Sequence, residues 1–86
     1  MTMIEELKKY LNSDMSINNI KQYNEKTKFT FHYKGLSKEK CEIVNTCTPG
    51  YKEQVCKQAI NVIMAELMMD VGKIEESKQW LNGEKW

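Results

Sequence analysis

Hydrophobic and polar residues repeat with a helical period at both ends of the chain and alternate in between. Near the start, Ile4, Leu7 and Leu11 recur at helical spacing with Met3 and Tyr10 beside them. The preceding "TMIE" reads as a capping box, Thr2 as N-cap and Glu5 reaching back to it, and Asn12-Ser13-Asp14 ends the helix. Residues 13–19 read as loop. Phe29, Phe31 and Tyr33 then alternate with Thr30 and His32, the period of a half-buried strand. "KGLSKE" turns the chain and "KCEIVNTC" returns it. Ile20 to Tyr23 is expected to add a shorter edge strand, joined through "NEK".

Pairing Phe31 with Ile43 sets Tyr33 opposite Cys41 and leaves a short loop at Leu36 to Lys38. One face of the sheet then carries Phe29, Phe31, Tyr33, Cys41, Ile43 and Cys47, and needs a cover. The other carries Thr30, His32, Glu42, Val44 and Thr46 and is largely polar.

A long C-terminal helix supplies the cover. Thr48 is a natural N-cap and Pro49 a natural first helical residue, since its missing N–H has no partner there anyway. Cys56, Ile60, Ile63, Met64, Leu67, Val71 and Ile74 fall on one stripe, about 100° wide, enough to face a sheet. Past Gly72 the phase slips, which predicts a kink or break there and a short last helix ending at Asn82-Gly83. The expected fold is α+β, in the order α-β-β-(β)-α: a small two- or three-stranded antiparallel sheet with an N-terminal and a long C-terminal helix packed on one face.

The same helix carries a second apolar stripe. Tyr51, Val55, Val62 and Met69, with Trp80 further on, gather opposite the first. Val55, Val62 and Met69 stand seven residues apart, the spacing of a helix-packing seam. A helix covering one sheet face does not need it. Something must cover it: the first helix, which at about three turns is too short to cover all of it, a second copy of the chain, or another protein. Trp80, Trp86, Met68 and Met69 are residue types enriched at interfaces.

Composition narrows the function. Eighty-six residues make one domain, 1–86, with a small core. At 41% hydrophobic and 29% charged it has an ordinary globular composition. No apolar run approaches the ~18 residues that span a membrane. "MTMIEELKKYLN" has acids where a signal peptide carries bases and an apolar run, so the expected location is cytoplasmic.

The net charge is +1, too little for a global field toward nucleic acid or an anionic membrane. All thirteen bases are lysine. Without arginine there is no forked donor for guanine edges, which argues against sequence-specific DNA reading. Lysine in place of arginine, with many Asn and Ile, resembles the accessory genes of phages or mobile elements in low-GC bacteria.

Chemistry is thinly represented. Cys41, Cys47, Cys56 and His32 tally as a Cys₃His zinc set, but no C-x₂₋₄-C pair exists. Cys41 and Cys47 lie on one strand about 20 Å apart at ~3.3 Å per residue, too far for one metal or a disulfide. His32 faces away from the cysteines and is expected opposite Glu42 as a surface pair. The cysteines therefore read as core. Cys47, just before the helix N-cap, keeps the alternative of a reactive thiol. No catalytic, cofactor or metal residue is assigned, and no enzyme is expected.

The order α-β-β-β-α, with "GYKEQVCKQAINVIMAEL" as last helix, resembles the double-stranded RNA-binding domain over residues 29–67. That resemblance implies phosphate contacts at the start of the last helix. Here Glu53 and Gln54 follow Lys52, and the glycine-rich lead-in is missing.

Two functions follow. The first is a small non-enzymatic protein-binding module, a phage or mobile-element inhibitor of a host protein such as a nuclease or defence complex (anti-CRISPR-like), with a protein partner or a homodimer formed through Tyr51, Val55, Val62, Met69 and Trp80. The second is a nucleic-acid binder using Lys34, Lys38 and Lys40 around the hairpin turn with Lys52 and Lys57 on the helix. Neither needs a cofactor, metal or membrane.

Overall fold

A computed structural model describes residues 2–86. Helix α1 (Met3–Lys8) leads into strands β1 (Met15–Gln22), β2 (Lys26–Tyr33) and β3 (Leu36–Val44). A 3₁₀ turn (Pro49–Tyr51) then opens helix α2 (Lys52–Asp70), and helix α3 (Ile74–Leu81) follows. The fold is α+β: the strands form an antiparallel meander in the order β1-β2-β3, with helices on one face.

The α1 segment is shorter than its pattern. Beyond Lys8 the chain tightens into i→i+3 bonds, the Tyr10 amide donating to the Leu7 carbonyl at 3.0 Å. The capping box does not form. Thr2 accepts the Glu5 amide on its main-chain carbonyl at 3.2 Å, while its own hydroxyl is buried without a partner. Asn12 then turns the chain, its side-chain oxygen accepting the Asp14 amide at 2.9 Å and its carbonyl the Met15 amide at 3.1 Å. Residues 15–19, expected as loop, are strand: Met15 and Ile17 alternate inward opposite Tyr33 and Phe31.

The β2–β3 register differs from the expected one. Lys34 (φ 47°) and Gly35 (φ 81°) form a two-residue turn, with Tyr33 directly opposite Leu36. Two successive positive φ values suit the twist of a tight hairpin, and Gly35 adopts one without steric penalty. One extra residue in β3 then shifts the pairing, so Phe29 meets Cys41 and Thr27 meets Ile43. Past the bulge the displacement from the expected register is even, so the buried face is still Phe29, Phe31, Cys41 and Ile43, and Thr27 joins it. His32 lies opposite Ser37 rather than Glu42 and shares a 2.8 Å hydrogen bond with Asn18.

Facing that sheet, α2 buries Cys56, Ile60, Ile63, Met64 and Leu67, while Met3, Ile4 and Leu7 of α1 join the same cluster. Each such side chain removed from water stabilises the fold by about 1.5–3 kcal/mol. Val71 and Ile74 do not extend the stripe and are exposed. The reason is the break: the Gly72 amide donates to Met69 and the Lys73 amide to Met68, a closed helix end. The chain reverses, and α3 runs back along α2. There the Ser77 hydroxyl donates to the Ala65 carbonyl at 2.8 Å. No helix among the described residues is long and apolar enough to cross a membrane.

Candidate partner-binding groove

Helix α2 is apolar on three sides, and each side has a different fate. One faces the sheet and α1. A second, with Ala65 and Met68, lies under α3. The third is the extra stripe read from the sequence. Val62 is 43% exposed, Met69 51% and Tyr51 57%, and Val55 is half-buried. Trp80 is not part of it. At 7% exposure it belongs to the core, because the reversal at Gly72 carries α3 to another flank of α2. Its indole meets that of Trp86 edge to face, with centroids 6.3 Å apart.

Val55 and Val62 form one wall of a groove of about 450 Å³, with Ala59 and Ile63 beside them. The opposite wall is β3, from Lys38 to Val44. This strand is a sheet edge. No residue of α1 or α3 lines the groove. Tyr51 and Met69 continue the stripe beyond its two ends. The second wall was not visible in the sequence, because it depends on which strand ends up outermost beside α2.

Charged residues frame this groove. Lys38 sits at an inward register position opposite Phe31 and extends to Asp70 at 3.2 Å and Glu66 at 3.6 Å. The hydrogen bond that Lys38 donates to Asp70 raises the lysine pKa above its ordinary value. The Cys41 thiol in the floor donates to the Lys38 carbonyl at 3.3 Å, and burial pushes it up to about 11. Cys56, under α1, is likewise pushed up to about 11 by burial. Both thiols are therefore protonated at neutral pH and weak as nucleophiles. Cys47 is half-buried, its sulfur 3.7 Å from the Met3 sulfur. Among the described residues no group of three His, Cys, Asp or Glu side chains is placed to hold a metal ion.

The five lysines read as nucleic-acid contacts are scattered. Lys34 stands over the Tyr33 ring at the hairpin tip, 5.3 Å from its centroid. Lys38 is held by its two carboxylates on the helix side of the sheet. Lys57 pairs with Glu53 at 2.9 Å and stands 5.3 Å from the Trp86 ring centroid. Lys52 is half-buried at the start of α2. Lys40 sits in the β3 bulge with φ 61° and projects from the sheet face opposite to that of Lys38. No single surface gathers them. Comparison with known proteins found no match, whether to a family model, a curated protein or a solved structure.

Proposed function

We propose that the chain is a small non-enzymatic protein-binding module whose partner seats an apolar helix or loop in the groove between β3 and α2. The observation that carries this is the uncovered stripe: Val55 and Val62 wall the groove, and Tyr51 and Met69 prolong it along the helix. Strand addition to β3 is the poorer fit, because the left-handed Lys40 interrupts that edge with a bulge and a charge. A helix laid along the seven-residue repeat of Val55, Val62 and Met69 suits the stripe better.

The groups that catalysis would draw on have structural employment. Cys41 and Cys56 are held protonated by burial, and His32 bonds Asn18 on the open sheet face. In its finer form the proposal is an inhibitor encoded by a phage or mobile element and directed at a host nuclease or defence complex. The small size and lysine-only basic composition support it. The setting we propose is the cytoplasm, where three unpaired cysteines stay reduced. A second copy of the chain is the other occupant the stripe would accept, giving a homodimer.

The test is affinity capture from host lysate with a nuclease-treated control, run beside Val62→Asp. Val62 is exposed, so the aspartate is tolerated by the fold. A protein retained by the wild type after nuclease treatment and lost by the variant is the expected result. Equal recovery by both, or no recovery together with a monomer at high concentration, would overturn the proposal.

A further inference from the structure

The opposite face of the sheet has a second concavity, which meets the groove only at Glu39 and Lys40 of the edge strand β3. Both edge strands take in one extra residue at the same level. In β1 the pairing runs from Asn18–Thr30 to Lys21–Lys28, and in β3 from Lys38–Phe31 to Cys41–Phe29. Each bulge holds a left-handed residue that is not glycine: Asn19 at φ 52° and Lys40 at φ 61°. Between them, over Thr30, lies a depression of about 470 Å³. Its walls include Lys21, Lys28 and Lys40, the exposed ring of Tyr23, and the amide of Asn19, which donates to the Thr30 hydroxyl at 3.5 Å. Glu39 is the one acid on those walls.

These three lysines differ from the others on the sheet. Lys26 pairs with Glu42 at 3.2 Å and Lys38 with Asp70. Among the described residues, no carboxylate lies within 4.0 Å of Lys21, Lys28 or Lys40, and Lys28 instead stands over the Tyr23 ring, 5.6 Å from its centroid. Lys21 and Lys28 are moreover direct register partners across β1 and β2. Like charges placed directly opposite destabilise a sheet, and a left-handed lysine adds backbone strain. Two unfavourable arrangements thus converge on one depression, and a bound polyanion would relieve the charge repulsion.

We infer that this depression binds the backbone of a single-stranded nucleic acid, with Lys21, Lys28 and Lys40 on phosphates and a base stacked on Tyr23. A cationic depression beside an exposed aromatic ring is the arrangement that holds single strands, whose unpaired bases are free to stack. A duplex offers no such base, and the recessed site between two edge bulges has no projecting element to enter a duplex groove. The donors are lysine point charges without an arginine fork, so the binding tolerates any sequence.

The experiment is fluorescence anisotropy of the full chain with labelled oligo-dT of twenty nucleotides, an equal-length duplex and inorganic tripolyphosphate as competitor. Three phosphate contacts on a single strand give a log–log salt slope of about −2, so affinity falls about 20-fold between 50 and 200 mM salt. The double variant Lys21→Gln/Lys28→Gln binds at least ten-fold more weakly with a shallower slope, and its free form melts at a higher temperature than the wild type. Val62→Asp binds like the wild type, which separates this face from the groove. Unchanged binding by the double variant, a lower melting temperature for it, no retention of oligo-dT at 50 mM salt, a duplex bound as tightly, or complete displacement by micromolar tripolyphosphate would each overturn the inference.

Discussion

Lys38 on β3 donates to the Asp70 carboxylate at the last residue of α2, across 3.2 Å, and so ties the sheet edge to the end of the helix at one end of the groove. The lysine stem starts from the buried side of the strand and its charge emerges beside the helix. Asp70 raises the lysine pKa, so the pair's contribution is intact below the ordinary value of 10.5 and is lost as pH rises through the raised native value. Lys38→Ala is expected to speed amide exchange in the last turn of α2 and to lower the melting temperature slightly. That difference from the wild type shrinks in high salt and again at strongly alkaline pH. Equal exchange rates in the two proteins at pH 7 would show that the pair fastens nothing.

Asn45 holds the other end of the sheet. Its side-chain oxygen accepts the Thr27 hydroxyl at 2.6 Å, its side-chain amide donates to the Tyr23 carbonyl, and its main-chain amide donates to Glu25 at 2.9 Å. Thr27 is completely buried, so removing its partner strands a hydroxyl away from water. Asn45→Ala should cost about 1–3 kcal/mol in urea denaturation at unchanged m-value. Adding Thr27→Val should recover part of that loss, because the orphaned hydroxyl goes with it. A double variant less stable than the single one contradicts this account.

These contacts are also the part of the fold that the local sequence pattern does not carry. Periodicity finds α2, the break at Gly72 and the alternation of β2, because each is a local pattern with a local cause. It misses the β2–β3 register, which a Lys34-Gly35 turn and a bulge at Glu39-Lys40 set together; the bulge breaks the alternation of β3 between Lys38 and Cys41, where no apolar residue marks the change. It misses the start of β1, where Asn18 and Asn19 interrupt the apolar pattern. Trp80 is misplaced for a related reason: a helical wheel carried past Gly72 keeps a phase that the chain has abandoned. Val55 and Val62 are legible as a spare stripe. The groove is not, since its second wall comes from a strand some twenty residues away.

The three thiols should separate by reactivity. Cys41 and Cys56 are buried and held protonated, whereas Cys47 is half-buried with weak sulfur contacts to Met3 and to the Thr48 carbonyl. A disulfide-exchange reagent at pH 8 should modify one thiol quickly in the native protein and all three in denaturant. Peptide mapping should place the fast modification at Cys47, and rapid labelling of Cys56 would mean that α1 detaches readily from α2.

The same burial makes the fold sensitive to alkali. An unfolded cysteine ionises near 9, while Cys41 and Cys56 in the native protein ionise near 11. Between these values the unfolded state binds fewer protons than the native one, so stability falls as pH rises, by about 1.4 kcal/mol per pH unit for each thiol. Well below pH 9 the thiols contribute no pH dependence. Chemical denaturation of the wild type and Cys41→Ala between pH 8 and 11 should show the variant, whatever its starting stability, losing less across the window. Parallel curves would mean that the Cys41 thiol titrates as freely in the folded protein as in the unfolded one.

Gly72 and Gly50 offer a paired test of how α2 is bounded. An added Cβ at either position meets nothing within 4 Å, so contact plays no part. The difference is backbone: Gly72 sits at φ 78° in the closing turn of α2, and Gly50 follows Pro49 in the opening 3₁₀ turn without a positive φ. A left-handed conformation costs an L-residue about 1–2 kcal/mol, so Gly72→Ala should destabilise by that amount. Gly72→Asn should lose less, since asparagine visits this region more readily. Gly50→Ala should be neutral or stabilise by up to about 1 kcal/mol, because alanine restricts the unfolded chain more than glycine does. Urea midpoints for the three variants decide it: a Gly72→Ala protein as stable as Gly50→Ala would mean that the turn between α2 and α3 relaxes to another conformation, and with it the placement of Trp80 against α2.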